Sequence, residues 1–310
     1  MNHQLNIFLI ALKNFLENNL MKILLTGATG FLGSNVLNGL ISNAENHLFC
    51  LIRNQSNLER IKNHLDKINL FNIDNEPIEN LFANNKFDIV VHCATSYGIK
   101  DGNPINTIES NLILPLKILH YASINNCGVF INTDTILDKR INHYSLSKKH
   151  FLDWFKSYSS SIKCINIELE HFYGPHDNKD KFCSFIVDSF FENKKFIELT
   201  PGEQKRDFIF IDDVVEAFRT IIDKLDKIHN SYTNFQLGTG KTVSIKEFVS
   251  MAKKISQNSN TELRFGALKY RKNEVMNSKV DISALKSLGW SPKITLSEGL
   301  TKTINTRNTG

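Results

Sequence analysis

The segment KILLTGATGFLG, residues 22–33, decides the fold that the sequence predicts. It begins with a short apolar run, continues through three glycines spaced G-x-x-G-x-x-G, and leads into apolar residues at helical spacing: Phe31, Val36, Leu37 and Leu40. Gly27 permits a tight turn, and Gly33 lets the helix pack closely against the strand. The segment therefore predicts a strand, a tight turn and a helix in direct succession.

Outward from this segment, strands and helices alternate along the chain. Apolar runs predict further strands over residues 47–52, 88–92, 128–131 and 164–169. Helical patterns lie between them, over residues 58–65, 111–122 and 144–158. Strand–helix–strand units of this kind form a parallel sheet with helices on both faces. We therefore predict an α/β protein with a Rossmann-type, doubly wound parallel sheet.

Composition excludes several classes of protein. The chain has 310 residues, of which 41% are hydrophobic and 22% are charged, as is ordinary for a globular protein with a substantial core. Its five cysteines are widely spaced and form no C-x-x-C pair, so neither a disulfide framework nor a metal site is predicted. The net charge is only +5, and the sequence contains no dense run of Lys or Arg. No nucleic-acid partner is therefore predicted.

Residues 1–20 stand apart from the alternating pattern. Their apolar run, residues 7–12, is too short to cross a bilayer, and no Lys or Arg precedes it. Several apolar residues of this stretch share one helix face: Leu5, Phe8, Leu12, Phe15 and Leu16. We expect a short amphipathic helix or a leader upstream of a start at Met21, in a cytoplasmic protein without membrane insertion.

The glycine turn has the form of a dinucleotide-binding loop. Gly30 allows the backbone to approach a pyrophosphate, and the N–H groups at the start of the following helix favour its negative charge. Glycine turns are common, and the alternative is an ordinary loop. Here, however, the turn follows a strand, opens a helix and precedes a second strand, which is the order that such a site requires. A dinucleotide cofactor is therefore predicted.

The end of the second predicted strand indicates which dinucleotide is used. An acidic residue there bonds the ribose 2′-hydroxyl of NAD, but this chain has Arg53 and Asn54. A guanidinium pairs with a 2′-phosphate, so NADP(H) is the preferred cofactor and NAD(H) the alternative. An exposed arginine without a ligand role is the other interpretation of Arg53. Asp74, after the next strand-like segment, is a candidate contact for the adenine ring.

Tyr144 and Lys148 lie four residues apart in a predicted helix and therefore share one face. A nearby positive charge favours a phenolate, which makes such a tyrosine a candidate acid–base group. An exposed Tyr/Lys pair without function is the commoner meaning of this spacing. The preceding strand ends in INTDT, residues 131–135, and its hydroxyl groups offer a third polar group to the same reacting carbonyl.

Several motifs in this order resemble the extended short-chain dehydrogenase/reductase family, and within it the NAD-dependent epimerase/dehydratase group that acts on nucleotide sugars. They are TGATGFLG (26–33), DIVVHCAT (88–95), Asn111 at a helix start, NTDT (132–135), YSLSK (144–148), FYGP (172–175), RDFIFIDDV (206–214) and LGWSP (288–292). Within that group the sequence most closely resembles the nucleotide-sugar 4-ketoreductases of the CDP-abequose synthase type.

The resemblance implies both cofactor-binding and catalytic residues. Cofactor contacts are implied at Gly27, Thr29, Gly30, Phe31, Leu32, Gly33, Arg53, Asn54, Asp74, Ala94, Tyr144 and Lys148. Thr133 resembles the hydroxyl residue that bonds the reacting sugar oxygen, and Tyr144 resembles the acid–base tyrosine. Lys148 resembles the lysine that holds the nicotinamide ribose and tunes the phenol. Thr133, Tyr144 and Lys148 are therefore the predicted catalytic residues.

The resemblance also implies contacts to a nucleotide-diphosphate sugar, at Thr95, Asn111, Thr133, His171, Arg206 and Arg271. Arg206 and Arg271 lie where the family places arginines on the substrate pyrophosphate, and a diphosphate needs such partners. A surface charge is the alternative for each arginine. A structural histidine is the alternative for His171.

One departure from the family pattern narrows the chemistry. Dehydratases of this family carry an Asp-Glu pair after the catalytic threonine, whereas this chain has Asp134 followed by Thr135. Without the glutamate, elimination of water lacks its base. The expected function is therefore NADPH-dependent reduction of the 4-keto group of a nucleotide-linked 4-keto-deoxy sugar, for bacterial surface polysaccharide (O-antigen or capsule). A nucleotide-sugar 4-epimerase with tightly bound NAD and a non-catalytic NADP-binding sensor are the alternatives.

The motifs also suggest a domain organisation. We predict an N-terminal extension over residues 1–20 and a dinucleotide-binding domain over 21–174, to which 205–240 partly returns. The remaining segments, 175–204 and 241–310, form a smaller C-terminal substrate-binding lobe. Within it, S-x-x-E at 244–247 predicts a helix N-terminus. The resemblance implies a homodimer formed through the helices that hold Asn111 and Tyr144.

Overall fold

The computed structural model describes residues 20–98 and 103–308. The chain divides into two compact units. The first contains Met1–Asn132, Asn142–Asn166 and Asn230–Thr233, and the second contains Thr133–Ile141, Ile167–His229 and Asn234–Gly310. Residues 1–19, nearly all of the predicted extension, lie outside the described residues. The extension and the functional boundaries between dinucleotide-binding and substrate-binding segments stay predictions.

Strands and helices alternate through the described residues. The strands are β1 (Met21–Thr26), β2 (Asn46–Ile52), β3 (Ile68–Asn72), β4 (Ile89–His92), β5 (Val129–Thr135), β6 (Lys163–Leu169), β7 (His171–Tyr173), β8 (Phe196–Leu199), β9 (Lys205–Arg206), β10 (Phe208–Phe210), β11 (Tyr232–Leu237), β12 (Val243–Ser244) and β13 (Glu262–Phe265). The helices are α1 (Phe31–Ile41), α2 (Ile78–Asn84), α3 (Pro104–Ile108), α4 (Leu114–Ile124), α5 (His143–Ser157), α6 (Phe182–Phe191), α7 (Ile211–Asp223), α8 (Ile245–Ile255), α9 (Ser283–Ser287) and α10 (Leu296–Asn308).

Seven of these strands form one sheet, in the order β11-β6-β5-β4-β1-β2-β3. The pairs β1–β2, β1–β4, β2–β3 and β4–β5 are all parallel. The direction of winding reverses at β1, because β2 lies on one side of it and β4 on the other. Doubly wound sheets bind ligands at such a reversal, beyond the carboxyl ends of the strands. The predicted Rossmann-type α/β fold is confirmed.

Two elements between β2 and β4 differ from the prediction. Residues Glu59–His64 form a 3₁₀-helix where an α-helix was expected, and only Ile61 of this stretch is buried. The helix α2 has no counterpart in the prediction, whereas β3 is the strand-like segment expected before Asp74. Only the first residue of β3 is buried, so the sequence gives no bounds for this strand.

The helix that carries Asn111 begins earlier than predicted. The Asn103 side chain caps α3 by accepting a hydrogen bond from the Ile105 N–H, and Pro104 occupies the first turn. A π-helical turn, Glu109–Ile113, then joins α3 to α4. Asn111 therefore lies within this π-helical turn, not at a helix start. Turns of this kind are frequent at functional sites.

Aromatic packing fixes α5 to the sheet in the first unit. The rings of Phe130 on β5 and Phe151 and Phe155 on α5 are fully buried, with centroids 5.4–6.4 Å apart. Phe151 and Phe155 are four residues apart and share one helix face. Because aromatic pairs at this separation attract each other, the helix that carries Tyr144 and Lys148 has a defined position against β5.

The second unit contains three two-stranded sheets, which pair β7 with β10, β9 with β12 and β8 with β13. Phe208 of β10 stacks on Phe248 of α8 at a centroid distance of 4.2 Å. The predicted helix start at Ser244 is confirmed, since its hydroxyl and the Glu247 carboxylate form a capping box. Within residues 205–240, β11 belongs to the seven-stranded sheet, whereas β10 pairs with β7.

None of the helices in the described part of the chain is both long enough and apolar enough to cross a membrane. All five cysteines lie in that part and are buried free thiols.

Candidate active site

Two glycines of the first turn are required by the packing of the chain itself. Gly27 has a left-handed backbone, with φ of +72°, and a Cβ there would lie 2.6 Å from the backbone nitrogen of Ala94. A Cβ on Gly33 would lie 2.1 Å from the Gly27 carbonyl oxygen. The same carbonyl accepts a hydrogen bond of 2.9 Å from the Gly30 N–H. The turn is therefore closed and tightly packed against the residues that follow β4.

Gly30 is different, because the chain does not need a glycine there. It is exposed, and a Cβ at this position would meet only the Gly27 carbonyl oxygen, at 3.3 Å, among the residues that the structure describes. A glycine at this position keeps the surface of the turn open to a ligand. The first turn of α1 also contains no acidic residue to oppose an anion. These features fit the diphosphate of a dinucleotide.

The ends of β2 and β3 bring three predicted cofactor residues together. The Asp74 carboxylate accepts a hydrogen bond of 2.8 Å from the Asn54 N–H, and the Asn54 side-chain oxygen accepts one from Asn72. The Arg53 backbone N–H donates to the Ser56 hydroxyl at 2.9 Å, while its guanidinium is exposed. The positive side chain of Arg53 therefore follows β2, and the negative side chain of Asp74 follows the neighbouring strand β3.

Buried groups at the end of β4 carry strongly shifted pKa values. Burial, and then the positive charge of Lys148, hold the pKa of His92 well below its usual range. Burial raises the pKa of Cys93 to about 12, although Lys148 acts in the opposite direction. The imidazole is therefore neutral and the thiol protonated at neutral pH. Cys93 is accordingly a poor nucleophile.

Helix α5 carries Tyr144 and Lys148. A reciprocal capping box between Asn142 and Ser145 fixes its first turn. Tyr144, in that turn, is half-buried, whereas Lys148 one turn later is only 2% exposed. The helix therefore carries a buried ammonium one turn after a more accessible phenol, on the same face.

Asn111 joins the loop after β4 to α5. Its side-chain oxygen accepts hydrogen bonds from the Ser96 N–H at 2.8 Å and the Thr95 hydroxyl at 3.1 Å. Its amide nitrogen donates to the Ser96 carbonyl at 2.7 Å and to the Ser147 hydroxyl at 3.0 Å. All four hydrogen-bonding positions of this fully buried side chain are used. The contacts of Asn111 are therefore to the protein itself, and a substrate contact by this residue stays a prediction.

Sequence reasoning missed Ser96, Ser147 and Tyr97 at this site. The Ser147 hydroxyl donates to the Tyr144 carbonyl oxygen at 2.8 Å, and the Tyr97 ring lies 4.8 Å from the Tyr144 ring, centroid to centroid. The position of Ser147, three residues after Tyr144, was the one local signal available for these contacts. The remaining contacts join segments that are distant along the chain.

Thr133 belongs to the second unit and is buried at the end of β5. The next residue, Asp134, is also buried, and its carboxylate accepts hydrogen bonds from the Thr135 N–H at 2.8 Å and the Lys139 ammonium at 2.6 Å. Asp134 is therefore held in an ion pair.

His171 lies on β7 of the second unit, beside a buried carboxylate. Its Nδ1 and its backbone N–H lie 2.7 and 3.1 Å from Glu170 Oε2. The other oxygen of Glu170 accepts a hydrogen bond from Ser278. The Nδ1 of His171 is therefore held by Glu170, while the side chain as a whole is still 37% exposed.

Arg206 and Arg271, also in the second unit, have different environments. The Arg206 guanidinium donates to Glu274 and to the Val275 carbonyl oxygen, each at 2.5 Å, and is 12% exposed. These contacts give Arg206 a structural role. Arg271 is exposed, and its carbonyl oxygen accepts a hydrogen bond of 3.1 Å from the Glu274 N–H. The segment around Glu274 therefore contacts both arginines.

Comparison with known proteins decides the family. The sequence model of the NAD dependent epimerase/dehydratase family matches residues 23–238, which is more than half of the chain. The chain belongs to the NAD-dependent epimerase/dehydratase family. The match includes Thr133, Tyr144, Lys148 and Arg206 and ends before Arg271.

Relatives of this epimerase/dehydratase protein cover nearly its whole length. CDP-abequose synthase of Salmonella typhimurium (strain LT2) is 32% identical over 289 residues, which are 90% of this chain and 95% of that protein. Among solved structures, Thermotoga maritima UDP-glucose 4-epimerase with UDP-glucose superposes with a TM-score of 0.80 at 22% identity, over 93% of this chain and 99% of that one. Bacillus cereus UDP-glucuronic acid 4-epimerase, in complex with UDP-glucuronic acid and NAD, gives 0.79 at 24% identity, with the same coverage.

These findings confirm the predicted family and fold. The epimerase/dehydratase protein is an NAD(P)-dependent enzyme of the extended short-chain dehydrogenase/reductase type. The glycine turn described above is the part of its first unit that fits the dinucleotide. The solved 4-epimerases, at 22% and 24% identity, support the fold alone.

Proposed function

We propose that this enzyme uses NADPH to reduce the 4-keto group of a nucleotide-linked 4-keto-deoxy sugar, as a step in bacterial surface polysaccharide synthesis. The 32% identity with CDP-abequose synthase over 90% of the chain carries the proposal. Thr135 supports it, because dehydratases of the family use a glutamate at this position. The name of the relative makes a CDP-linked sugar the first substrate to test.

In the proposed reaction Tyr144 is the acid. Its phenol donates a proton to the C4 oxygen of the sugar, and the Thr133 hydroxyl donates a hydrogen bond to the same oxygen. Bound NADPH supplies the hydride that C4 receives. The buried Lys148 ammonium favours release of the phenolic proton, and solvent then returns a proton to Tyr144. The product is the corresponding 4-hydroxyl sugar.

The proposed substrate contacts differ in accessibility. They are Thr95, Asn111, Thr133, His171, Arg206 and Arg271. Arg271 is the stronger candidate for the diphosphate, because it is exposed, whereas Arg206 is already paired with Glu274. His171 is accessible at the edge that does not face Glu170.

NADP(H) is the proposed coenzyme, with Arg53 on its 2′-phosphate. The exposed guanidinium of Arg53 supports this choice, since it makes no hydrogen bond or ion pair with any residue in the described part of the chain. Asp74, whose carboxylate accepts a hydrogen bond from the Asn54 N–H, is the proposed contact for the adenine ring, and NAD(H) is the alternative coenzyme. The cytoplasm is the proposed location of the enzyme, because the proposed reaction consumes NADPH.

A homodimer formed through α3, α4 and α5 is the proposed assembly. These helices carry large apolar side chains that are 38–59% exposed in the single chain: Ile105, Ile108, Ile124, Leu146 and Trp154. Exposed large apolar side chains on neighbouring helices are typical of a protein–protein interface. Light scattering of Trp154→Glu against the wild-type chain tests this assembly, and a monomeric wild-type chain contradicts it.

The function is tested with CDP-, dTDP- and GDP-linked 4-keto-deoxy sugars, while the loss of NADPH absorbance is followed. One NADPH should be oxidised for each sugar reduced. Tyr144→Phe should lower kcat by at least about 10²-fold, the lower end for general acid catalysis, and leave coenzyme affinity unchanged. Tyr158→Phe, which changes a tyrosine just beyond the end of the same helix, should keep wild-type turnover.

Two results would overturn the proposal. Purification with tightly bound NAD, together with interconversion of C4 epimers and no net NADPH consumption, identifies a 4-epimerase instead. Absence of turnover with every keto-sugar nucleotide, together with NADP binding, identifies a non-catalytic sensor. Wild-type turnover in Tyr144→Phe removes the assigned acid.

A further inference from the structure

Tyr97 lies against Tyr144 and takes no part in the proposed transfer of the proton and the hydride. The two ring centroids are 4.8 Å apart, with the ring planes inclined at 35°. Favourable aromatic pairs have centroids about 4.5–7 Å apart. Both residues are half-buried. The contact is between two residues of the same compact unit.

The backbone on either side of Tyr97 is held in place. Immediately before it, both the N–H and the carbonyl of Ser96 are bonded to the Asn111 side chain, at 2.8 and 2.7 Å. Immediately after it, Gly98 has a left-handed backbone, with φ of +67°, and a Cβ there would lie 2.6 Å from the Thr107 hydroxyl oxygen. Tyr97 therefore projects from a loop with a defined course.

The same buried amide is also connected, through Ser147, to the backbone of Tyr144. Asn111 donates to the Ser147 hydroxyl at 3.0 Å, and Ser147 donates to the Tyr144 carbonyl oxygen at 2.8 Å. One side chain thus connects the loop that carries Tyr97 with the helical turn that carries Tyr144. The two tyrosines are placed relative to each other by this network as well as by their own contact.

We infer that Tyr97 is a positioning residue for the proposed reaction: its ring packs against Tyr144 and keeps the phenol in the orientation in which it donates a proton. The inference rests on the proposed function, in which Tyr144 is the acid. A tyrosine side chain turns about two bonds, and a neighbouring ring on one side restricts both. Catalysis depends steeply on such placement, since a shift of about 1 Å costs about 10²-fold in rate.

The test compares Tyr97→Leu, which removes the ring, with Tyr97→Phe, which removes only the hydroxyl. Tyr97→Leu should lower kcat about 10-fold or more, with coenzyme affinity unchanged, because the acid is misplaced and the dinucleotide site is not. Tyr97→Phe, which keeps the ring, should have a kcat within about twofold of wild type. Tyr121→Leu, which removes a ring stacked on Phe82, is the matched control and should keep wild-type kcat.

A double variant shows whether Tyr97 acts through Tyr144. Tyr97→Leu should cause no further loss of kcat in a Tyr144→Phe background, because the group that it positions is already gone. A general structural defect would lower both backgrounds by the same factor. If Tyr97→Leu does not fold, Tyr97→Met fills a similar volume without a ring and is used in its place.

Three outcomes overturn the inference: wild-type kcat in Tyr97→Leu, equal loss in Tyr97→Phe and Tyr97→Leu, or an equal further loss in the double variant. The second would show that the Tyr97 hydroxyl itself contacts the ligand. Failure of the proposed function has a different signature. If Tyr144→Phe keeps wild-type turnover, the assigned acid is wrong, whereas an inactive Tyr144→Phe beside a fully active Tyr97→Leu overturns the role of Tyr97 alone.

Discussion

The Thr26 hydroxyl and the Nδ1 of His92 lie 2.8 Å apart, between the neighbouring strands β1 and β4. Thr26 also accepts a hydrogen bond of 3.2 Å from the Ala94 N–H, and the Ala94 backbone packs directly against Gly27. Both Thr26 and His92 are fully buried. The pair therefore fixes the end of β4 against the glycine turn, and it does so with a neutral imidazole, because burial lowers the pKa of His92.

This buried histidine predicts a loss of stability in mild acid. The pKa of His92 is lower in the folded chain than in the unfolded one, so the unfolded chain binds more protons once the pH falls below about 6.5. From there downward the free energy of unfolding should decrease by up to about 1.4 kcal/mol per pH unit from this group. Urea denaturation between pH 7.5 and pH 5.5 measures the slope.

His92→Gln is the variant for this measurement, and His150→Gln, at an exposed position on α5, is its control. The pH dependence should become shallower in His92→Gln and stay as in wild type in His150→Gln. Equal slopes in all three chains would show that His92 is not the group responsible.

The glycine turn predicts opposite consequences for two similar substitutions. Gly33→Ala should destabilise the fold by more than about 3 kcal/mol, because its Cβ would lie 2.1 Å from a backbone oxygen. Gly30 has an ordinary extended backbone with φ of −80°, so Gly30→Ala should change the free energy of unfolding by no more than about 1 kcal/mol. Coenzyme titration should nevertheless show at least about 10-fold weaker binding in Gly30→Ala. Wild-type coenzyme affinity in that folded variant would mean that the dinucleotide does not approach Gly30.

The exposed arginine after β2 predicts the coenzyme preference. Arg53→Ala should weaken NADPH binding about 10-fold or more and leave NADH binding unchanged, because only NADPH carries the 2′-phosphate. Fluorescence titration with both coenzymes measures this difference. Lys62→Ala is the control: it removes another exposed positive charge, in the 3₁₀-helix that follows Arg53, and should change the binding of neither coenzyme. Equal weakening of both by Arg53→Ala would contradict a contact with the 2′-phosphate.

The ion pair between Asp134 and Lys139 predicts a strong asymmetry between variants. Lys139→Met should destabilise the chain by about 3–5 kcal/mol, because it leaves a buried carboxylate without its cation. Adding Asp134→Asn should recover part of that loss, since the double variant buries no unpaired charge. Lys149→Met breaks an exposed pair with Asp153 and should cost no more than about 1 kcal/mol. Chemical denaturation of the four chains gives the comparison, and equal costs for the two lysines would contradict the buried pair.

Predictions from the sequence were strongest where neighbours along the chain decide the structure. The glycine spacing of residues 27–33 required a strand–turn–helix unit, because backbone freedom and close packing there depend on the missing side chains themselves. The capping box at Ser244 followed from a similarly local rule. The bounds of the edge strand β3 could not be predicted for the converse reason, since only one of its residues is buried.

The sequence by itself determined the α/β class, the dinucleotide turn and the helix that carries Tyr144 and Lys148, because periodicity, glycine spacing and capping act over a few residues. Only the tertiary structure decided the partners of the site residues. Arg206 meets Glu274 across 68 positions of the chain, and Ser278 meets Glu170 across 108. Tyr97 likewise reaches Tyr144 only because a buried amide joins two distant segments. Contacts of this kind depend on how finished elements pack together, which no local preference of the chain specifies.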